Sequence, residues 1–430
     1  MVRLFKYYLI LLLIGYATFN KGFAYIHIPG PIPIYLGEIG LFIGLLLAIA
    51  NLSIIYRSLN SYVSRIYILF ALLGIIMLIP GILKYGIDAV KDSAIWYYGI
   101  YALILGGIFR TYDDIYKFLN FYKSLVLVLL VFIPIYIFLV VYIGVKVPTF
   151  PNSPVPIIYP KFGDLGVHLG GAVCFVLLSS ILGIRIPFKP LIYLLIGLGF
   201  ISVGSINRGG FVAAVFSTLL VSFLFFKPSK IVKVLVITVF VVFLFYALNI
   251  NFEAGVRSIS TQQLLLNISS IVRGSEAPGE LAGTVYWRVM FWTTILQNIK
   301  QHWLGVGFGP ILAYVYDFPY IWESPDVPIL RNAHNSHLTI LARMGIPGFL
   351  LWIMMLFFYF SALYRIIKAP LSPKLRGTAG WLIGYSSASV INAIFDPSLE
   401  SPMGGIWFWS LIGLGVALSR LSTKRINSWK

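Results

Sequence analysis

The sequence predicts an all-α polytopic membrane protein with about twelve transmembrane helices and one large extracytoplasmic loop between the ninth and the tenth. Three observations support this fold class. The 430 residues are 59% hydrophobic and only 11% charged, with a mean hydropathy of +0.92, whereas an average soluble domain has about 25% charged residues. Apolar stretches of membrane-spanning length recur along the chain. Basic residues concentrate in alternate connections between these stretches.

Twelve apolar stretches are long enough to cross roughly 30 Å of hydrocarbon at about 1.5 Å per residue. Their approximate cores are residues 4–20, 35–55, 66–83, 94–109, 124–145, 167–184, 190–206, 209–226, 231–249, 338–361, 377–395 and 403–419. We expect the first to be a retained helix, because no small-residue cleavage site precedes Asn20.

The stretches divide the chain into three parts. Residues 1–249 hold helices one to nine, residues 250–337 form a periplasmic loop domain with amphipathic helices, and residues 338–430 hold helices ten to twelve. The middle segment is too long for a passive connection. It is therefore the candidate functional part.

The distribution of Lys and Arg predicts the orientation. With a cytoplasmic N-terminus, the inner segments carry 20 basic residues and the short outer connections carry six. The positive-inside rule favours that arrangement, with both termini cytoplasmic and the long loop outside. The net charge of +18 is scattered between apolar runs, so no nucleic-acid partner is expected. The single cysteine, Cys174, excludes a disulfide framework and a thiolate metal site.

The turn between predicted helices seven and eight carries an arginine. Asn207-Arg208-Gly209-Gly210 lies at the outer face. A helix start attracts anions, the glycines would let a ligand approach the backbone, and Arg208 would offer two parallel hydrogen bonds to phosphate oxygens. The alternative is that Arg208 extends to lipid headgroups and the glycines only form the turn.

A second arginine interrupts the apolar face of an amphipathic helix that we predict from Thr284 to Gln301. At about 100° per residue, Arg288 aligns with Trp292 and Ile295. A guanidinium at that position is either paired inside the protein or directed at an anionic ligand between this helix and the membrane domain.

The densest polar cluster precedes predicted helix ten. His334 and His337 are three residues apart, so a helix starting there would place them on one face. A histidine is the ordinary acceptor for a hydroxyl proton. A zinc site and a helix-capping role are the alternatives, and no neighbouring carboxylate or cysteine favours zinc. The nearby run from Gly305 to Gly309 lacks the spacing of a phosphate-binding loop and predicts a tight turn.

The arrangement of these motifs resembles the O-antigen ligase and O-antigen polymerase superfamily of bacterial polysaccharide assembly. The similarity involves Asn207-Arg208-Gly209-Gly210, Tyr286-Trp287-Arg288 with the run from Trp303 to Gly309, the segment from His334 to Leu338 with Gly345-Ile346-Pro347-Gly348, and the closing helix from Phe408 to Leu418. The helix layout and the long loop agree as well. The likeness covers most of the chain.

The resemblance implies roles for three residues. Arg208 and Arg288 would hold the diphosphate of an undecaprenyl-linked glycan, and His334 would be the general base. Asn207, Gly209, Asn335 and His337 are candidate supporting residues. Arg343 stands where many relatives carry an acidic residue.

The implied enzyme is a membrane glycosyltransferase of the bacterial inner membrane, working in the periplasm without metal or cofactor and inverting the sugar configuration. The acceptor would be lipid A core, as in a ligase, or a second lipid-linked glycan, as in a polymerase. A transporter of lipid-linked glycans would need charged residues at mid-membrane depth in several helices, and the predicted helix centres lack them. A receptor or structural protein would not need the two arginines and the histidine.

Overall fold

The computed structural model describes residues 1–30, 33–227, 252–254, 257–259, 280–318 and 330–427. The helices of these ranges are α1 (Val2–Thr18), α2 (Lys21–Tyr25), α3 (Leu36–Ala50), α4 (Ser53–Leu59), α5 (Tyr62–Tyr85), α6 (Ile87–Asp92), α7 (Ala94–Tyr97), α8 (Ile100–Ile108), α9 (Tyr112–Tyr136), α10 (Phe162–Leu182), α11 (Lys189–Ile206), α12 (Arg208–Phe225), α13 (Glu280–Gln297), α14 (Leu312–Val315), α15 (Ser336–Lys368), α16 (Pro373–Phe395) and α17 (Pro402–Asn427). A π-helical turn, Ile137–Tyr142, extends α9, and a 3-10 turn, Ser398–Glu400, precedes α17.

The strands are short. β1 (His27–Ile28) pairs antiparallel with β2 (Ile34–Tyr35), with His27 opposite Tyr35. β3 (Phe252–Ala254) pairs antiparallel with β4 (Arg257–Ile259), with Phe252 opposite Ile259. The described chain is otherwise built from helices.

Seven of the described helices are long and apolar enough to cross a membrane, namely α5, α9, α10, α11, α12, α15 and α17. The pair α3 and α4, bent by 96°, would make an eighth span. The protein is therefore a multi-pass α-helical membrane protein, as predicted. The predicted ninth span, 231–249, lies outside the described residues, and the other predicted stretches overlap helices, with 35–55 divided between α3 and α4 and 94–109 between α7 and α8.

Helix α10 lies at the centre of the bundle and packs against α12 and α16. Small residues allow this close packing, because a Cβ atom at Gly166 would lie only 2.4 Å from the backbone of Gly210. A Cβ at Gly171 would meet the ring of Tyr385 at 2.6 Å. Since lipid is as apolar as a leucine side chain, close backbone approach of this kind is what holds membrane helices together.

Polar contacts join the helix ends in two groups, one on each of the two membrane sides that the sequence assigns. Lys6 Nζ lies 2.7 Å from Asp114, and Arg420 Nη2 donates to the carbonyl of Phe109 at 2.6 Å. These residues belong to segments that the sequence assigns to one side of the membrane. The functional candidates lie in segments assigned to the other side.

Part of the predicted loop domain forms a second apolar cluster. Phe291 and Ile295 of α13 pack against α14 and the segment before α15, and both are fully buried. α13 ends at Gln297, four residues before the predicted end at Gln301. Residues 260–279 and 319–329 of the predicted loop lie outside the described ranges.

Candidate functional site

His334 lies in the chain segment just before α15, in the left-handed backbone region with φ of 48°. The side chain of Asn332 accepts a hydrogen bond from the His334 N–H at 3.1 Å. The imidazole contacts Trp287 of α13 edge-on, with ring centroids 5.3 Å apart. His334 is therefore held half-buried between the loop domain and the membrane helices.

The structure contradicts the prediction that His334 and His337 share a helix face. The side chain of Asn335 accepts from the N–H groups of His337 and Leu338, so the helix begins after it. His334 therefore lies outside α15. Asn335 acts as an N-cap, a role that satisfies free backbone donors.

His337 is used for packing. Its Nε2 donates to the carbonyl of Val390 at 3.0 Å, and its Nδ1 accepts from the indole of Trp352 at 3.0 Å. These bonds fix the tautomer, because Nδ1 can accept only when Nε2 carries the proton. Both ring nitrogens are engaged, so only His334 of the pair is placed to accept a substrate proton.

Arg288 points inward from α13. Its Nη1 donates to the carbonyl of Phe395 at 3.2 Å, while its buried Nε has no hydrogen-bond partner in the structure. Its guanidinium also lies 5.3 Å from the centre of the Trp287 ring. Burial lowers the pKa of Arg288, Asp396 raises it, and nearby Arg208 lowers it. The two arginines that the sequence singled out therefore lie close enough to interact electrostatically.

Arg208 is the first residue of α12. The side chain of Asn207 accepts from the Gly210 N–H at 2.7 Å and so caps this helix. The two glycines face protein, because a Cβ at Gly209 would lie 2.8 Å from Phe395 and one at Gly210 would lie 3.0 Å from the Gly163 carbonyl. Their smallness thus brings α12 against α10 and α16.

The end of α16 connects these parts. Phe395 touches both arginine segments, as described above. The next residue, Asp396, forms an ion pair with Lys161 at 3.1 Å, and its carbonyl accepts from Ser336 of α15 at 3.4 Å. Burial alone would lower the pKa of Lys161, but Asp396 and Asp164 raise it. This cluster of Lys161, Arg208, Arg288, His334 and Asp396 is called the rim site below.

The charges of the rim site act on the pKa of His334. Burial, followed by Arg288, lowers the pKa of His334 to about 4, and Asp396 acts in the opposite direction. An imidazole with that pKa is neutral at pH 7, the state in which it can accept a proton. The rim site therefore combines a neutral imidazole with three cations and the carboxylate of Asp396, and Asp164 also acts on Lys161.

A second charge cluster lies nearby and has a different character. Asp92 at the end of α6 pairs with Arg331 at 2.8 Å and with Arg343 at 2.9 Å. Asp88 pairs with Arg331 at 3.3 Å. This set is called the Asp92 cluster. Asp92 thus provides an ion-pair partner for Arg343, whose side chain is only 1% exposed.

The glycine run is a tight turn, as predicted. Gly305, Gly307 and Gly309 have φ of 86°, 77° and 107°. A Cβ at Gly305 would lie 2.3 Å from the Arg343 carbonyl, and one at Gly345 would lie 2.3 Å from the Trp303 carbonyl. Only glycine tolerates both the conformation and the contact.

The described ranges contain no group of three or more His, Cys, Asp or Glu residues that could hold a metal ion. Two rim-site residues were missed by the sequence analysis, Lys161 and Asp396. Asp396 follows the end of an apolar helix and precedes Pro397, which is a detectable signal. Lys161 comes into contact with it only through the fold, across 235 positions of sequence.

The family model described as O-antigen ligase matches residues 192–353. Residues 192–353 are therefore similar to an O-antigen ligase domain. That domain includes Arg208, Arg288 and His334, and leaves Lys161 and Asp396 outside the match. Members of this family are membrane glycosyltransferase-like enzymes of the ligase or polymerase type.

A comparison with curated proteins gives no match. Among solved structures, the chain is similar to one chain of a structure described as "Structural coordination of polymerization and crosslinking by a peptidoglycan synthase complex". The identity is 16%, the TM-score is 0.36, and the alignment covers 83% of this chain and 97% of the other.

Proposed function

We propose that this protein transfers a preassembled glycan from undecaprenyl diphosphate to a hydroxyl of lipid A core, as an O-antigen ligase of the bacterial inner membrane. Both termini are cytoplasmic and the rim site faces the periplasm. The observation that supports this most is the placement of Arg288 and His334 against the same Trp287 ring, with Arg208 close enough to lower the pKa of Arg288.

The donor diphosphate binds the two arginines. Arg288 has a buried Nε with no hydrogen-bond partner among the described residues, and Arg208 lies near enough to lower its pKa. A diphosphate relieves both costs, because its oxygens accept charge-assisted hydrogen bonds and offset the repulsion between two guanidinium groups. Arg208 lies at the start of α12, where the helix dipole also favours negative charge.

His334 acts on the acceptor. The acceptor oxygen attacks the anomeric carbon and forms the new C–O bond, while its proton passes to the imidazole. The bond from the anomeric carbon to the diphosphate breaks, and undecaprenyl diphosphate leaves with the bonding electrons. The arginines stabilise the charge that develops on it. Direct attack from the opposite face inverts the anomeric configuration, and fixed cations replace a divalent metal.

The choice of a ligase over a polymerase rests on the number of anion sites. A polymerase binds two lipid diphosphates, one on the donor and one on the acceptor. Of the other outer arginines, Arg331 and Arg343 are engaged with Asp92. Arg273 and the side chain of Arg257 lie outside the described residues. The rim site is thus the anion site that the described residues support, and it fits one diphosphate.

The test is reconstitution in vesicles with a polyprenyl-diphosphate glycan and lipid A core, separately and together. We expect product only when both are present. Chain lengthening with donor alone would establish the polymerase instead, and vesicle-crossing of the donor without any new glycosidic bond would establish a transporter.

A further inference from the structure

The segment that carries His334 is bound to the membrane domain mainly through the carboxylate of Asp92, with Asp88 as a longer second contact of Arg331. Asp92 Oδ1 accepts from Arg331 Nε at 2.8 Å, and Asp92 Oδ2 accepts from Arg331 Nη2 at 3.1 Å. This two-point contact fixes the guanidinium plane as well as its position. Asp92 is 7% exposed, so water screens the pair little.

The same carboxylate also holds the glycine turn. Asp92 Oδ2 accepts from the Gly309 N–H at 3.0 Å, and the Gly309 carbonyl accepts from Arg331 Nη2 at 3.1 Å. Arg343 donates to the carbonyls of Gly307 at 3.2 Å and Arg331 at 3.0 Å. Arg331 is therefore held through its side chain by Asp92 and Gly309, and through its carbonyl by Arg343.

His334 follows Arg331 by three residues, and the intervening backbone is also fixed. The Ala333 carbonyl accepts from the indole of Trp292 at 2.8 Å, and its N–H donates to Thr339 at 3.3 Å. A fixed backbone limits where the imidazole can lie. Movement of Arg331 would be transmitted along this short segment to the ring.

We propose that Arg331, held by Asp92, is a positioning residue that sets the location of the His334 imidazole relative to the donor. The proposal rests on the proposed role of His334 as the base. Arg331 touches no reacting atom in this account. Its effect is on the geometry of proton transfer, where a displacement of about 1 Å can cost a factor of about 100 in rate.

The experiment compares steady-state kinetics of Arg331→Gln, Arg331→Lys and Asp92→Glu with the wild type. Arg331→Gln should lower kcat by about ten- to a hundredfold while leaving the KM for donor and acceptor within about twofold. Arg331→Lys should recover part of kcat, because one ion pair remains but the two-point contact of the guanidinium with Asp92 is lost. Asp92→Glu keeps both arginines paired and shifts them by one methylene, so it should lower kcat in a protein that still folds.

Lys6→Gln is the matched control, since it breaks a half-buried ion pair of 2.7 Å at the opposite end of the bundle. Its kcat should equal that of the wild type. Equal losses of kcat in Lys6→Gln and Arg331→Gln would overturn the proposal, as would a wild-type kcat in both Arg331→Gln and Asp92→Glu.

A parallel measurement on His334→Ala separates the two hypotheses. If His334→Ala is inactive and the Arg331 and Asp92 variants turn over normally, the positioning role is wrong and the base assignment stands. If His334→Ala is fully active, the base assignment itself is wrong, and the positioning role with it.

Discussion

The rim site and the Asp92 cluster are neighbouring charge clusters that use their arginines in opposite ways. In the Asp92 cluster, Arg331 and Arg343 share Asp92, Arg331 also reaches Asp88, and the cations are matched by carboxylates. In the rim site, Asp396 is paired with Lys161 and acts on Arg288, Asp164 also acts on Lys161, and Arg288 lies within electrostatic range of a second arginine, Arg208.

The difference distinguishes arginines that are paired with carboxylates from those that we propose to bind the donor. A buried arginine that is paired with a carboxylate stabilises a fold, since removing one member leaves the other buried without a partner. A surplus of cations around a cleft is unfavourable until an anion arrives. We therefore expect substitutions in the Asp92 cluster to affect folding or geometry, and substitutions in the rim site to affect donor binding and chemistry.

The largest expected effect comes from the base. His334→Ala should lower kcat by about 10²–10⁴-fold, because a general base contributes that much to a rate. Donor affinity should be unchanged, since the base acts on the acceptor. Transfer and donor binding are measured on the same purified protein.

His337→Gln is the control for that substitution. The ring of His337 is bound to Val390 and Trp352, so this variant should unfold at a lower temperature while its folded fraction keeps the wild-type kcat. A loss of kcat in His337→Gln equal to that in His334→Ala would remove the distinction between the two histidines.

The next effect concerns stability. Arg343→Met removes one ion-pair partner of the buried Asp92 carboxylate and should destabilise the protein by about 3–5 kcal/mol. Arg288→Met removes an incompletely bonded guanidinium and should be close to neutral. Thermal unfolding in one detergent measures both variants. A greater loss for Arg288→Met would reverse our comparison of the clusters.

The dependence of activity on pH tests the electrostatics of His334. Its pKa is lowered to about 4, and the neutral form is the active one. The value of kcat/KM should therefore stay constant as the pH falls through 6.5 and should decline only near pH 4. The profile of kcat should decline at a higher pH, because the bound diphosphate raises the pKa of the imidazole.

Two variants should move this acid limb in opposite directions. Arg288→Ala removes a neighbouring cation and should shift it to higher pH, whereas Asp396→Asn removes a carboxylate and should shift it to lower pH. Recovery of activity after return to pH 7 controls for unfolding. Shifts of the same sign in both variants would contradict the electrostatic account.

The smallest expected effect is that of metal removal. Excess EDTA should leave transfer unchanged, since the arginines supply the positive charge. Loss of activity that zinc, magnesium or calcium restores would reveal a metal site that this account lacks.

Helix positions were predictable from the sequence because apolar length alone identifies a span. The inward face of α13 followed from periodicity, and Arg288 does turn towards Phe395. The site was predictable only in part. The two histidines were assigned to one face because spacing does not reveal where a helix begins, and that start depends on the cap at Asn335.

The contacts of the rim site could not be predicted from local pattern. Lys161 and Asp396 meet because α10 and α16 pack along their length, and neither residue stands in a motif. Likewise, Gly209 and Gly210 were interpreted as a surface for a ligand, whereas the structure turns their Cβ directions to neighbouring helices. Such pairings depend on the whole bundle.

The most direct measurement of the central claim is equilibrium binding of a polyprenyl-diphosphate glycan to Arg288→Gln and Arg343→Gln. Each affinity is expressed per folded protein. The account predicts weaker binding to Arg288→Gln by about 1.5–3 kcal/mol, the contribution of a hydrogen bond to a charged group, and wild-type affinity for Arg343→Gln. Wild-type affinity for Arg288→Gln, or an equal loss in both variants, would contradict the claim that the rim site holds the donor.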